Sequence, residues 1–372
     1  MNYVMESPPG PSTLINGRWR DYFSGCSYLG LQNHPALIQA ATEALQRYGL
    51  AAATSRGGYG EHPVYHAVEE AAARFFAAPR AIYYVSGYLG ATILAQGLRR
   101  DYDHIFADDA SHFSIRDGAA TAGAPVSYFR HLDAAYLAAA LRAKLRPAER
   151  PLIFSDGVFP ISGEIAPAAD YLAILADYEG AILCLDDAHA TGVLGEGGRG
   201  TLAHWHGENA AIIGQTPVYT AHTFSKAMGA GGGVIAGSAA LIEQLERDST
   251  TPAAHSPAAF PVAAAAARSL ALVAAEPALR QRLRVNVAHA RAGLSGLGWQ
   301  LPDTPVPIIC LTARPGMDLA RLQAELFARD ICVAHATRYS STPAGGALRV
   351  AIFATHAREQ IDRLVAELGR LL

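Results

Sequence analysis

Two short segments of this chain carry the residue types for one chemistry. Asp186-Asp187-Ala188-His189 and, downstream, Thr223-Phe224-Ser225-Lys226 supply a carboxylate, an imidazole and a primary amine. A lysine amine forms a Schiff base with an aldehyde, and a carboxylate beside a pyridine nitrogen keeps that nitrogen protonated. Those are the two requirements of a pyridoxal phosphate site, because a ring that loses its proton withdraws less charge from a carbanion. Each group has an ordinary alternative when taken alone. A lysine after Thr-Phe-Ser is commonly a solvated surface residue, and an aspartate after a buried strand is commonly a helix cap. The glycines from Gly229 to Gly233 and the histidine three residues after Asp186 favour the cofactor reading.

The elements that must position these groups alternate between helix and strand. Residues 35–48 and 63–76 have helical spacing, and 81–85 read as a short strand ending at Ser86-Gly87. Further strands are expected at 104–107, 152–154, 181–185 and 234–236. In a doubly wound sheet ligands bind beyond the carboxyl ends of the strands, so strands stopping at Ser86, Asp108, Asp156 and Asp186 deliver polar groups to one crevice. From about Glu276 the pattern changes to a long amphipathic helix, short strands at 307–311, 331–334 and 348–353, and a last helix over 356–372. A chain of 372 residues exceeds what one core usually serves. The expected division is an N-terminal segment (1–45) that joins the smaller domain, a large α/β domain with a mostly parallel sheet (46–275), and a smaller α+β C-terminal domain (276–372).

Composition excludes several classes. The net charge is −3 with no basic block, which argues against nucleic acid as a partner. Cys26, Cys184, Cys310 and Cys332 lack metal-ligand or disulfide spacing, so no metal is expected and a reduced cytoplasm fits. Residues 1–20 have prolines and polar groups where an export signal needs a continuous apolar core. The apolar stretch 258–275 is interrupted by Pro261 and Arg268 and reads as a buried interdomain helix rather than a membrane span. Gly195-Glu196-Gly197-Gly198-Arg199-Gly200 fits G-x-G-x-x-G, but no strand turns directly into it and no acidic residue stands about 20 positions later. It reads as a flexible loop near the site. His62, His131 and His222 read as structural or surface groups.

Read in order, the chain carries Tyr28-Leu29-Gly30-Leu31 with His34-Pro35, Thr54 to Gly60 with His66 and Glu69, Ser86-Gly87-Tyr88, Asp108 to Ser114, Asp156-Gly157-Val158-Phe159, Asp186 to Gly195, Thr223 to Lys226, and Leu348-Arg349-Val350. This ordered set resembles the α-oxoamine synthases, pyridoxal phosphate enzymes of fold type I that include 8-amino-7-oxononanoate synthase and serine palmitoyltransferase. The resemblance implies a homodimer with its site at the subunit interface. It further implies decarboxylative condensation of a small amino acid (glycine, alanine or serine) with an acyl thioester on coenzyme A or a carrier protein, giving an α-aminoketone.

Residue by residue, the resemblance implies that Lys226 binds the cofactor and then serves as base and acid at the substrate α-carbon. Asp186 faces the pyridine nitrogen, His189 the phenolic oxygen, and His112 the ring face opposite the lysine. Ser86, Gly87 and Tyr88 receive the phosphate at a helix start, helped by Thr223 and, from the neighbouring subunit, Ser256. Asp156 joins the cofactor shell, and Arg349 binds the amino acid carboxylate, for which an interdomain salt bridge is the bland alternative. Departures fall on the substrate side. Cys26 replaces a common Asn, Pro160 a common Ser expected near the cofactor ring, Asp156 a commoner Glu, and 339–343 a proline-rich loop. A lyase or aminotransferase on the same fold, and a non-catalytic partner subunit, are the rival readings; the second is expected to lack the lysine.

Overall fold

The computed structural model describes residues 3–205 and 216–372. Its strands, in chain order, are β1 (Ser12–Ile15), β2 (Arg18–Tyr22), β3 (Arg80–Tyr84), β4 (His104–Asp108), β5 (Val126–Phe129), β6 (Pro151–Asp156), β7 (Ile182–Asp186), β8 (Val218–Thr223), β9 (Gly233–Gly237), β10 (Ile308–Thr312), β11 (Ile331–Cys332), β12 (Ala334–Ala336) and β13 (Ala347–Ala351). Seven of them form one sheet in the order β3-β9-β8-β7-β6-β4-β5. Neighbours from β8 to β5 are parallel, and β9 is antiparallel to both β3 and β8. The sheet is therefore mostly parallel.

Alternation along the strands explains why this sheet is buried on both faces. Ile105, Ala107, Leu152, Phe154, Ile182 and Cys184 pack into a core with the helix Gly90–Gly97 and Leu241 and Leu245 of the helix Ala239–Asp248. Phe106, Ile153, Leu183 and Leu185, one residue out of phase, pack on the other face against Leu137 and Leu141 of the helix Ala134–Lys144 and Tyr171 and Leu172 of the helix Ala168–Leu175. A parallel strand covered on both sides reads as a continuous apolar run, which is how β4, β6 and β7 are legible in the sequence.

β1, β2, β5 and β8 fall outside the strands read from the sequence, and one expected strand divides in two. β8 and β5 were not expected, because Val218-Tyr219-Thr220-Ala221-His222-Thr223 and Val126-Ser127-Tyr128-Phe129 are too rich in hydroxyls and histidine to look buried. In β8 the apparent liability is resolved by pairing. His222 lies 2.9 Å from both the Thr191 and the Thr220 hydroxyls, and burial lowers its pKa to about 3, so it is a neutral core residue. The expected strand at 331–334 is two strands. β11 pairs with β2 and β12 with β13, so the chain changes sheets at Val333.

The N-terminal hairpin β1-β2 is completed by β11, and β10-β13-β12 form a separate antiparallel sheet. Phe23 ties the two together, since its N–H donates to Cys332 and its carbonyl accepts from Ala351 (both 2.8 Å). The helix Phe260–Ala275 packs against the helices Pro35–Tyr48 and Pro63–Phe75. Among the described residues no single helix is long and apolar enough to cross a membrane.

The glycine-rich segment after residue 195 is a packed turn, which corrects the expectation of a flexible loop. Gly192 N–H donates to Gly198 and Gly200 N–H to Leu194, while Thr201 N–H donates to Asp187 Oδ2 at 2.9 Å. A Cβ on Gly200 would lie 2.0 Å from Asp187 Oδ2, and its φ is +105°. Gly200→Ala is therefore expected to destabilise the protein by about 2–4 kcal/mol, from steric overlap and backbone strain together. A thermal-unfolding midpoint within a degree of the parent would contradict the packing.

Candidate active site

Because β3 runs parallel to β8 and its neighbours, the carboxyl ends of β3, β4, β6, β7 and β8 lie along one edge. β6 and β7 end in register with Asp156 opposite Asp186, and β8 ends at Thr223. One cleft of about 170 Å³ opens there. Ser86, Gly87, Tyr88, His112, Asp156, Asp186, His189, Thr223 and Lys226 all line it, and so do Ser114, Ala188 and Ser225. A larger groove of about 650 Å³ runs between Leu297, Arg314 and Leu372, with no lysine in its wall. Chemistry rather than size selects the smaller cleft.

Lys226 is carried by a tight connection from β8 to β9. Phe224 N–H donates to Gly232 and Ala230 N–H to Phe224 (2.9 Å each), and the Lys226 carbonyl accepts from Gln32 Nε2 at 2.7 Å. Gly232, with φ +94°, is obligatory here, because a Cβ would enter the Tyr83 ring at 2.4 Å. Lys226 is one of only two lysines in the chain; the other, Lys144, is exposed at the end of its helix.

Asp186 and Asp187 have separate surroundings. Asp186 accepts from Ala188 N–H at 3.0 Å and from the Ser114 hydroxyl at 3.3 Å, and makes no ion pair among the described residues. Asp187 does not line the cleft, and burial pushes its carboxyl up to about 7. Asp156 accepts from His112 N–H at 2.7 Å; burial, and then the charge of Asp186, raise it well above the carboxylate range. Its neutral form is favoured, so it adds little negative charge beside Asp186.

His189 has a tautomer fixed by its neighbours. Arg349 Nη2 donates to the Tyr28 hydroxyl at 3.0 Å, and that hydroxyl lies 2.7 Å from His189 Nδ1. Burial raises the Tyr28 pKa well above its ordinary value and lowers that of His189 well below, so the phenol keeps its proton and the imidazole is neutral. An arginine only donates, so Tyr28 accepts from it and gives its own proton to Nδ1, which assigns the His189 proton to Nε2. The free Nε2–H is a donor suited to an oxygen that carries negative charge.

His112 caps the helix Phe113–Ala120 and lies 2.7 Å from both the Ser114 and the Tyr339 hydroxyls. Burial is the largest influence lowering its pKa, with Lys226 adding to it, which favours the neutral ring. Ser86 opens the turn Gly87–Leu89, which runs on into the helix Gly90–Gly97. Gly87 lets that turn lie against β8, where a Cβ would come within 2.5 Å of Thr223.

Two expected site residues are not on this cleft. Ser256 is exposed and its carbonyl accepts from His255. Arg349 is buried one hydroxyl away, donating to Pro160 O (2.6 Å), Gly25 O (2.9 Å) and Tyr28 OH, with Cys26 Sγ at 3.6 Å. No carboxylate pairs with it among the described residues, so the salt-bridge alternative does not hold. Pro160 stands beside Arg349 and not on the cofactor cleft, which corrects its expected place near the ring. Sequence reasoning missed Ser114, Tyr28 and Gln32. The first two lie inside motifs already singled out, two residues after His112 and at the head of Tyr-Leu-Gly, but only a fold reveals their contacts.

The donor set fits pyridoxal phosphate: an amine, a carboxylate without a cation, an N–H donor and a helix-start turn share one wall. The family model for aminotransferase class I and II matches residues 23–368. The chain is 38% identical over 368 residues to 8-amino-7-oxononanoate synthase from Methylococcus capsulatus (strain ATCC 33009 / NCIMB 11132 / Bath), covering 98% of this chain and 92% of that one. The same enzyme from Nitrosococcus oceani is 36% identical over 370 residues, covering 99% and 96%. Among solved structures, serine palmitoyltransferase from S. paucimobilis with PLP and myriocin bound superposes with a TM-score of 0.90 at 26% identity, covering 99% of this chain and 92% of that one.

Proposed function

Because the chain belongs to the aminotransferase class I and II family, and within it to the α-oxoamine synthases, we propose that its substrates are alanine and a seven-carbon dicarboxylic acyl thioester. The enzyme is a pyridoxal phosphate-dependent acyltransferase that condenses a small amino acid with an acyl thioester and releases carbon dioxide and the thiol. The finer reading follows from the product name shared by the relatives. In 8-amino-7-oxononanoate the amine-bearing carbon and its methyl are what alanine leaves after losing its carboxylate. The remaining seven carbons are the dicarboxylic acyl group.

When bound, pyridoxal phosphate supplies an electron sink for negative charge at the amino acid α-carbon. The observation that carries the assignment of its binding residues is that Lys226 and Asp186 share one cleft wall. Lys226 Nζ would hold the cofactor covalently and is the amine placed to take and return the α-proton. Asp186 would accept from the pyridinium N–H and so keep it charged. His189 would offer its Nε2–H to the phenolic oxygen, and His112 would cover the ring. Backbone at Ser86, Gly87 and Tyr88, with the Thr223 hydroxyl, receives the phosphate. Asp156 supports this shell by fixing the His112 backbone. Arg349 binds the amino acid carboxylate; buried without a carboxylate of its own, it has an unmet charge to offer.

A cytoplasmic homodimer is also proposed, in which Ser256, exposed and away from its own cleft, reaches the phosphate of the neighbouring copy. Thiol release from pimeloyl-CoA tests the substrate reading. Alanine is expected to exceed glycine and serine in kcat/KM by at least about tenfold, the usual worth of one methyl or hydroxyl in a fitted pocket. Faster release with glycine or serine would overturn it.

A further inference from the structure

Outside the cleft, beside the turn that carries Pro160, stands a charged cluster that is rooted in the buried Asp108 and reaches the surface at Glu164. His131, just after β5, has Nδ1 3.0 Å from Asp108 Oδ1 and Nε2 3.1 Å from Glu164 Oε2. Its ring packs edge-on against Phe159, with centroids 4.3 Å apart. Asp108 is fully buried at the end of β4, and its carboxylate also accepts from Ala110 and Leu132 N–H (both 2.9 Å). Burial by itself lowers the His131 pKa, but the hydrogen bonds to Asp108 and Glu164 outweigh it and raise it to about 9. At neutral pH the ring is therefore an imidazolium that donates from both nitrogens.

The cluster holds a turn. Val158 bridges Ile165, Phe159 N–H donates to Glu164 O at 2.9 Å, and Gly163 N–H donates to Phe159 O at 3.0 Å. Across that turn the Pro160 carbonyl accepts from Arg349 Nε at 2.6 Å, and Ile161 N–H donates to Ser341 Oγ at 3.2 Å. The other partners of Arg349, the Gly25 carbonyl on one terminal nitrogen and the Tyr28 hydroxyl and Cys26 Sγ on the other, leave Nε to Pro160. Pro160 O is thus the contact on Nε, and with the terminal ones it fixes the rotation of the guanidinium plane. A fork that binds a carboxylate with two nitrogens depends on that rotation.

We infer that His131 and Glu164 are positioning residues for the amino acid substrate: the Asp108–His131–Glu164 clamp fixes the 158–165 turn, and the turn aims Arg349 through the Pro160 carbonyl. The inference rests on the proposal that Arg349 binds the substrate carboxylate. Neither residue touches substrate or cofactor.

The test is a double-mutant cycle on the holoenzyme, with alanine binding measured by calorimetric titration and KM by thiol release. Glu164→Gln is expected to raise Kd and KM for alanine about five- to tenfold while kcat and the cofactor absorbance stay within about twofold, since the loss is of orientation in the ground state and transition state alike. Arg349→Ala is expected to raise Kd by more, and adding Glu164→Gln to it to change Kd little further, because the two act through one group. A lower melting temperature with unchanged Kd in Glu164→Gln, beside a raised Kd in Arg349→Ala, would overturn the clamp and leave the carboxylate assignment standing. An unchanged Kd in Arg349→Ala would overturn both. If Glu164→Gln does not fold, His131→Gln carries the same comparison.

Discussion

Lys226→Ala is expected to lose the visible absorbance band of the holoenzyme that borohydride abolishes, and with it at least about 10³-fold in turnover, because one amine serves as both cofactor anchor and proton carrier. The prediction is sharp because the chain has only two lysines and Lys144 is exposed on the helix Ala134–Lys144. After borohydride treatment of the parent, the reduced cofactor should therefore be found on a single peptide containing residue 226. The substitution is also structurally mild. The loop is held by backbone hydrogen bonds of Phe224, Ala230 and the Lys226 carbonyl, none of which needs the amine. A Lys226→Ala protein that folds and still shows a reducible chromophore would exclude this lysine as the anchor.

The second large effect separates two adjacent aspartates. Asp186→Asn keeps size and an oxygen for the Ala188 N–H but removes the charge that holds the pyridine nitrogen protonated. A kcat fall of about 10²–10³ is expected with the cofactor band still present, in line with losing one electrostatic contact in a water-poor site. Asp187→Asn should do something else. That side chain faces Gly200 and Thr201, so a lower melting temperature with kcat changed less than about tenfold is expected. Equal losses of kcat at unchanged stability would mean the two aspartates had been assigned the wrong way round.

The ordering of groups along the chain made most of the site legible. β3, β4, β6 and β7 are continuous apolar runs because both of their faces are covered; Ser86, Asp156 and Asp186 at the ends of β3, β6 and β7 lie on the cleft, whereas Asp108 at the end of β4, expected there as well, turns instead to His131. β8 was illegible for a physical reason: its buried histidine is accommodated by Thr220 of its own strand and by Thr191, which reaches it across the core from the turn after β7. No local pattern reports such a partner. The single strand expected at 331–334 failed likewise, since which sheet a short strand joins depends on the edge on offer and not on its own residues.

By itself the sequence determined the identities of the reactive groups, an amine, a carboxylate and an imidazole, and the strands that end beside them, because side-chain chemistry and hydrophobic periodicity are local properties. Only the tertiary structure decided that Asp187 turns to Gly200 and Thr201, that the His189 proton is assigned to Nε2, and that Arg349 is held by carbonyls and a phenol rather than by an acid. Those outcomes depend on contacts between residues such as Tyr28, His189 and Arg349, separated by more than a hundred positions in the chain, and burial sets their charge states through neighbours that no stretch of sequence contains.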